Sequence, residues 1–227
     1  MKLRKFRLSS PFASLYAEAR LLPDLRRSLL FLLFSNIFGN MHVIICGSGT
    51  TSMIQLSNFL GAGDFEYGLI TGIPLAAAFL QIPFSIIVNR TQKRKKYLLT
   101  FGLFSRVLWL LFGLVPFFIP ADPHWLRLWT VIFLLGISSC CGSFINVCWM
   151  PWMADLMPIR IRGRWMSRRD CINSVFGVVL GLVIAQILDT VAGPIKYTIV
   201  FLMGGTFGII DMLCYIFIKE VYSTPPV

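Results

Sequence analysis

Residues 128–153 read LWTVIFLLGISSCCGSFINVCWMPWM and contain no aspartate, glutamate, lysine or arginine. An α-helix rises 1.5 Å per residue, so about 20 apolar residues cross a hydrocarbon core of about 30 Å. A membrane-spanning β-strand needs only about 10 residues, so the length of this run favours a helix. The run therefore predicts a transmembrane helix.

Five further apolar runs occupy most of the remaining chain. Backbone N–H and C=O groups inside lipid must be satisfied within the protein, which a helix does by itself. We therefore predict an all-α integral membrane protein with six transmembrane helices. The polar stretch 47–52 interrupts the first run, and we expect that helix to tilt or bend there. The predicted spans are residues 28–58, 66–88, 97–119, 128–153, 172–190 and 197–218.

The composition supports a membrane environment. Hydrophobic residues make up 56% of the 227 positions, charged residues make up 14%, and the mean hydropathy is +0.75. A soluble domain carries about 25% charged residues. The net charge of +11 would suit a nucleic-acid-binding protein only if a folded domain presented a basic face. Here the basic residues form short clusters between apolar runs, so we expect the lipid bilayer, and no nucleic acid, as partner.

The basic residues also predict the orientation of the chain. All but three of the 21 lysines and arginines lie before the first span, between spans two and three, between spans four and five, or after span six. Loops that carry lysine and arginine stay on the cytoplasmic side. The exceptions are Arg127 and Lys196 in the other loops and Arg106 inside span three. We therefore predict a multi-pass protein of the cell membrane with cytoplasmic N- and C-termini.

The chain divides into three parts on this basis. Residues 1–27 form a basic cytoplasmic N-terminal segment, residues 28–218 the transmembrane bundle, and residues 219–227 a cytoplasmic tail. The first segment contains Pro11 and Pro23 and lacks the short apolar core and cleavage site of a signal peptide. It either forms a disordered basic tail or lies partly on the inner leaflet.

The sequence contains no motif of a catalytic, cofactor or metal site. There is no P-loop, HExxH or GxSxG pattern, and residues 47–52 lack the third glycine of GxGxxG. The six cysteines lie in spans or at a cytoplasmic helix end, where we expect reduced thiols. Adjacent Cys140 and Cys141 would point about 100° apart on a helix, which does not suit a shared metal ion. We predict no enzymatic activity, no cofactor and no metal.

The loop between spans two and three resembles the signature loop of the major facilitator superfamily of transporters. In residues 85–96, Arg90, Lys93 and Arg94 match the basic positions of that signature. The departures from it are Ser85, Asn89 and Gln92, where the signature has glycine, an acid and glycine.

Two further connections are similar to the same family. In residues 155–164, Asp155 ends a helix, Pro158 breaks it, and Arg162 with Gly163 opens the next element. Residues 60–68 resemble the family's short link between helices one and two. In the family, a base of the two–three loop pairs with an acid at the end of helix four, so the resemblance implies that Arg90 pairs with Asp155. The expected cytoplasmic gating motif comprises Asn89, Arg90, Lys93, Arg94, Asp155, Arg162 and Gly163.

The resemblance covers residues 25–220 and implies a bundle of two inverted three-helix repeats, with helices one and four lining the substrate path. It corresponds to the N-terminal half of such a transporter. The implied function is half of a secondary active or facilitative solute transporter that works by alternating access. It needs a second six-helix bundle from another copy, another chain or a C-terminal half, and a coupling ion where transport is active. The alternative is a non-transporting membrane scaffold or a truncated transporter remnant. The solute cannot be read from the sequence.

Polar residues in spans one and four are the candidates for the substrate path. The alternative role for each is a hydrogen bond between helices, worth about 0.6 kcal/mol. Pairs of glycines four residues apart in spans two, five and six predict close helix packing. The substrate-path candidates are Asn36, Asn40, His42, Ser139, Ser143, Asn146 and Trp149.

Two charged residues lie deep in predicted spans. Arg106 is about nine residues from the cytoplasmic end of span three, and Asp211 is about eight from that of span six. At the helical rise per residue, both therefore lie about 12–14 Å from the same membrane face. An isolated charge near mid-membrane costs about 2.5–3.5 kcal/mol. We therefore predict a buried Arg106–Asp211 contact, which either fixes the packing or serves proton coupling.

Overall fold

The computed structural model describes residues 23–120, 122–157 and 159–218. These residues form helices without any strand, and six helical spans are long and apolar enough to cross a membrane. The predicted all-α, six-span fold is confirmed, while residues 1–22 and 219–227 lie outside the described residues. Span 1 is Pro23–Cys46 with Thr51–Phe59, span 2 is Asp64–Ala77, Ala78–Leu80 and Gln81–Thr91, span 3 is Arg94–Phe118, span 4 is His124–Leu156, span 5 is Ile159–Thr190, and span 6 is Ile195–Cys214 with Tyr215–Phe217.

Span 1 is broken where the sequence predicts a bend. Its first helix ends at Cys46 and its second begins at Thr51. The Thr50 hydroxyl lies 2.8 Å from the Gly47 carbonyl, to which it donates, and accepts from the Met53 N–H at 3.5 Å. A threonine side chain can replace backbone hydrogen bonds lost at a helix break. The predicted bend is therefore a capped interruption between two helices.

The helix of span 5 begins much earlier than its apolar run. It starts at Ile159, whereas hydropathy places the start of the span at residue 172. The additional turns are rich in arginine, yet Trp165 within them is only 1% exposed and belongs to the apolar core. Hydropathy detects the part of a helix that suits lipid, and a helix can continue into a polar environment.

The packing of the spans has an internal symmetry. Span 1 packs against spans 5 and 6, span 4 packs against spans 2 and 3, and spans 3 and 6 pack against each other. Exchanging span 1 with 4, 2 with 5 and 3 with 6 converts the first set of contacts into the second. Because successive spans alternate in direction, a repeat of three spans is inverted relative to the preceding one. The contacts therefore match two inverted three-helix repeats.

The glycine pairs differ in what they contact. A Cβ on Gly204 of span 6 would lie 2.7 Å from Ile45, so spans 1 and 6 approach closely there. Gly177 of span 5 faces Ile44 in the same way, at 3.1 Å. The expectation of close packing fails for three other glycines, whose added Cβ would meet no atom of the described structure within 4 Å: Gly68, Gly72 and Gly181.

Basic residues in the first turns of helices satisfy the carbonyls at the ends of other helices. Arg127 donates to the Ile119 carbonyl after span 3 at 2.7 Å, and Lys196 donates to the Leu188 carbonyl of span 5 at 3.0 Å. Lys95 donates to the Ile218 carbonyl after span 6 at 2.7 Å. The last carbonyls of a helix have no partner inside it and carry partial negative charge, which a cation satisfies. Arg127 and Lys196, which the sequence placed in loops, therefore lie in the first turns of spans 4 and 6 and have a structural role.

Candidate functional site

A cavity of about 600 Å³ lies between spans 1, 4 and 5. Its span 1 residues recur at helical spacing from Asn36 to Ile44, and its span 5 residues recur from Arg169 to Gly177. One face of each helix therefore forms a wall. Spans 3 and 6 contribute its most buried charged residues, Arg106 and Asp211, which we call the floor.

Four of the predicted substrate-path residues line this cavity: Asn36, Asn40, Asn146 and Trp149. Asn146 is exposed within it. The Trp149 indole N–H donates to the Tyr215 hydroxyl at 2.7 Å, which fixes the ring at the boundary of spans 4 and 6. The structure thus assembles polar residues of spans 1 and 4 around one space, as the family resemblance implies.

The two asparagines of span 1 also bind span 5. The Asn36 carboxamide oxygen accepts from Arg169 Nη1 at 3.3 Å, and its amide donates to the Leu32 carbonyl at 2.8 Å. The Asn40 amide donates to the Asn173 carbonyl at 3.2 Å. These bonds hold spans 1 and 5 together along the wall of the cavity, while the Asn40 oxygen makes no bond in the described structure.

His42 does not line the cavity. It follows Asn40 by two residues, which places it on the other side of the helix, and it faces spans 3 and 6. Its Nδ1 is 2.9 Å from the Gly204 carbonyl and its Nε2 is 2.7 Å from Arg106 Nη1. A carbonyl only accepts and a guanidinium only donates, so Nδ1 carries the proton and the imidazole is neutral. His42 therefore accepts a hydrogen bond from Arg106 and does not line the cavity.

Two serines of span 4 are also absent from the cavity wall. Ser143 is buried and donates to the Ala77 carbonyl of span 2 at 2.7 Å, so it joins two helices of the bundle. Ser139 shares a helix face with Asn146 but lies about two helical turns before it in span 4. The cavity is shorter than the polar stripe that the sequence suggested.

Arg106 and Asp211 are in contact, with Arg106 Nη2 3.5 Å from Asp211 Oδ2. Their side chains are 14% and 6% exposed. The Ser35 hydroxyl donates to Asp211 Oδ1 at 2.6 Å. The matched depths in the sequence correctly indicate a contact, but not that both groups face the cavity.

Two glycines make room for this ion pair: Gly208 belongs to the glycine pair that predicts close packing of span 6, whereas sequence reasoning missed Gly39. A Cβ on Gly39 would lie 2.9 Å from Asp211 Oδ2, and one on Gly208 would collide with Arg106 Cδ. Ser35 and Gly39 are four residues apart and so occupy one face of span 1. Small residues on the helix faces nearest the two charges were the available signal.

The mouth of the cavity holds a second ion pair that was also missed. Arg169 Nη2 is 2.6 Å from Asp170 Oδ1, and its guanidinium lies 6.0 Å from the centre of the Trp165 ring. Arg169, Asp170 and Asn173 have helical spacing with Gly177. That pattern could have been recognised if the helix of span 5 had been predicted to begin before residue 172.

The acid at the end of span 4 pairs with a different base from the one predicted. Asp155 Oδ2 is 2.8 Å from Arg94 Nη1, so Arg94 rather than Arg90 is its partner. Arg94 is the first residue of span 3 and Arg90 lies in the last turn of span 2. Arg162 donates to the Met157 carbonyl at 3.1 Å and so closes the end of span 4.

The remaining positions of the predicted gating motif lie at the same end of the bundle. Gln92 follows span 2 with φ of 55° and donates from Nε2 to the Asn89 carbonyl at 2.7 Å. Positive φ favours glycine, which explains the glycine of the family signature at this position. Asn89, Lys93 and Gly163 are exposed.

Comparison with known proteins identifies a family. The sequence model of the Major Facilitator Superfamily matches residues 28–227. No curated protein and no solved structure matches the chain. Proteins of this family are transporters, and the six apolar helices are those of a multi-pass protein that moves a solute across a lipid bilayer. The chain belongs to the Major Facilitator Superfamily.

Proposed function

We propose that this chain forms one six-helix bundle of a secondary active or facilitative transporter that works by alternating access. The observation that carries the proposal is the cavity between spans 1, 4 and 5, because it places two ion pairs and several asparagine side chains on one face of a membrane bundle. Charged groups inside a membrane bundle are costly, and those that are present usually mark a solute or ion path. A protein used only as a scaffold has no need of such a wall.

The proposal requires a second six-helix bundle opposite this wall. The exposure of spans 2 and 5 supports this requirement, since only 11% and 17% of their apolar stretches are buried, against 33–44% for the other four spans. They are equivalent spans of the two repeats, and their glycines Gly68, Gly72 and Gly181 meet no atom of the described structure. Small residues allow close approach of a partner helix. The second bundle is a further copy of this chain or a bundle of a different sequence.

The basic end of the bundle, where spans 2–3 and 4–5 connect, lies in the cytoplasm in this proposal. Arg94, Arg162 and Lys95 cluster there, as expected for loops retained inside the cell. Arg169 and Asp170 line the cavity near that end, so in this proposal the cavity lies toward the cytoplasmic side of the bundle. Both termini then lie in the cytoplasm of a cell-membrane protein. A cysteine at Gln92 should resist an impermeant maleimide in intact cells, and one at Ala62 should react.

Alternating access can be tested before the solute is known. Asn146→Cys, made in a Cys171→Ser background because Cys171 is exposed, provides one reactive thiol in the cavity. We expect an impermeant maleimide to label it from either side of sealed vesicles, because the site alternates between both faces. Phe104→Cys is the matched control, since Phe104 is 52% exposed on span 3, away from the cavity. Labelling of residue 146 from one side only would support the scaffold alternative.

The need for a second bundle has a separate test. One bundle offers one wall of a solute path, whereas alternating access rocks two bundles about a central site. A chain reconstituted as a proven monomer should therefore show no saturable, solute-selective uptake. Saturable uptake by the monomer would contradict this part of the proposal.

A further inference from the structure

Arg106 has more hydrogen-bond donors than the protein uses. A guanidinium carries five N–H groups and no acceptor. Within the described residues, two contacts are made: Nη1 with His42 at 2.7 Å and Nη2 with Asp211 at 3.5 Å. Its Nε is buried without an acceptor there. The floor of the cavity therefore has a surplus of positively charged donors.

The contact with Asp211 is long for an ion pair. Hydrogen bonds between an arginine and a carboxylate are usually about 2.7–2.9 Å. Each partner is held by a different neutral residue, since Ser35 binds Asp211 Oδ1 at 2.6 Å and His42 binds Arg106. These anchors keep the two charges apart at the distance observed. Arg106 thus retains donor capacity that a closer pair would use.

Arg169 provides a comparison within the same cavity. Its Nε and Nη2 both contact Asp170, at 2.8 and 2.6 Å, and its Nη1 contacts Asn36 at 3.3 Å. All three nitrogens of Arg169 therefore have acceptors, and its charge is balanced at short range. Of the two arginines that line the cavity, Arg106 is the one whose bonding is incomplete.

We infer that the solute of this cavity carries an anionic group, such as a carboxylate, and that Arg106 binds it. This inference rests on the proposed transport function and specifies the class of solute. A planar guanidinium suits a carboxylate because its fork of N–H groups can bind more than one acceptor. Asn40 and Asn146 line the same cavity and offer amide groups to the uncharged part of the solute.

The test uses the Asn146→Cys, Cys171→Ser protein and N-ethylmaleimide, a neutral reagent. It measures how much a probe molecule slows the labelling of the cysteine at position 146. The probes are acetate, lactate and succinate, each compared with its amide at constant pH and ionic strength. A probe present at its dissociation constant occupies half of the sites, so labelling slows about twofold. We expect at least one carboxylate to protect and its amide not to protect. Equal protection by both, or no protection by any carboxylate, would overturn the inference.

Variants assign the effect to Arg106. Arg106→Gln with Asp211→Asn removes both charges together, so that no buried charge is left alone, and should abolish protection by the carboxylate. Lys96→Gln with Asp189→Asn removes one charge of each sign from exposed positions outside the cavity; it is the matched control and should keep the protection. Protection that persists in the first variant would overturn the inference. The transport proposal is judged independently, by labelling of residue 146 from both membrane faces without any probe.

Discussion

The Arg106–Asp211 pair should be a strongly coupled element of the fold. The two charged groups are 3.5 Å apart. At that separation and an effective dielectric constant of about 20, two unit charges attract by about 5 kcal/mol. Removing one partner of a buried pair costs about 3–5 kcal/mol, because the other charge is left buried. The Asp211 residue as a whole is only 4% exposed. Arg106→Ala and Asp211→Ala should therefore each lower the free energy of unfolding by about 3–5 kcal/mol.

The double variant leaves no charge alone and should therefore be more stable than the sum of the single losses predicts. We expect a coupling energy of about 1–3 kcal/mol. The assay is reversible unfolding by sodium dodecyl sulfate in mixed micelles, followed by tryptophan fluorescence. Ser35→Ala is the control, since it removes one hydrogen bond to Asp211 and should cost about 1 kcal/mol. Additive single losses would refute the reasoning.

Three further predictions concern close contacts and the basic end of the bundle. Gly208→Ala should lower the free energy of unfolding of the isolated bundle by about 1–3 kcal/mol, because the added Cβ would collide with Arg106. Gly72→Ala is the control and should not lower it. Equal effects of the two substitutions in the unfolding assay would contradict the close approach at Gly208. Arg94→Gln should destabilise by about 0.2–1 kcal/mol through loss of the bond to the exposed Asp155, and Arg90→Gln should have a smaller effect. The reverse order would restore the original assignment. Gln92→Gly should raise the thermal midpoint, because Gln92 has a positive φ. A left-handed conformation costs a non-glycine residue about 1–2 kcal/mol; a lower midpoint would show that the Gln92 side-chain bond outweighs this strain.

Features that depend on position along a helix axis were predicted correctly from the sequence. The number of spans, the interruption of span 1 and the equal depths of Arg106 and Asp211 follow from hydropathy and from the rise per residue. Each of these depends on position along a helix axis. Lipid penalises a charged residue according to its depth, so the sequence carries this information directly.

The rotation of helices about their axes was harder to infer. Asn40 lines the cavity, but His42, two residues later, faces the opposite way and binds Arg106. Arg90 and Arg94 flank one short connection, at the end of span 2 and the start of span 3, and only the structure shows that Arg94 is the one that reaches Asp155. Small differences in helix start or direction therefore change the partner of a charged group.

The sequence alone determined that this protein spans the membrane six times, because the cost of placing charge in lipid is local to each segment. It also indicated the family through residues of short connections. Only the tertiary structure decided that spans 1, 4 and 5 line an open cavity and that Arg106 and Asp211 form its floor. Those relations join residues up to 176 positions apart, as in the bond from Ser35 to Asp211. Such pairs meet because helices pack through specific faces, and the side chains that fit between those faces are selected jointly by several spans.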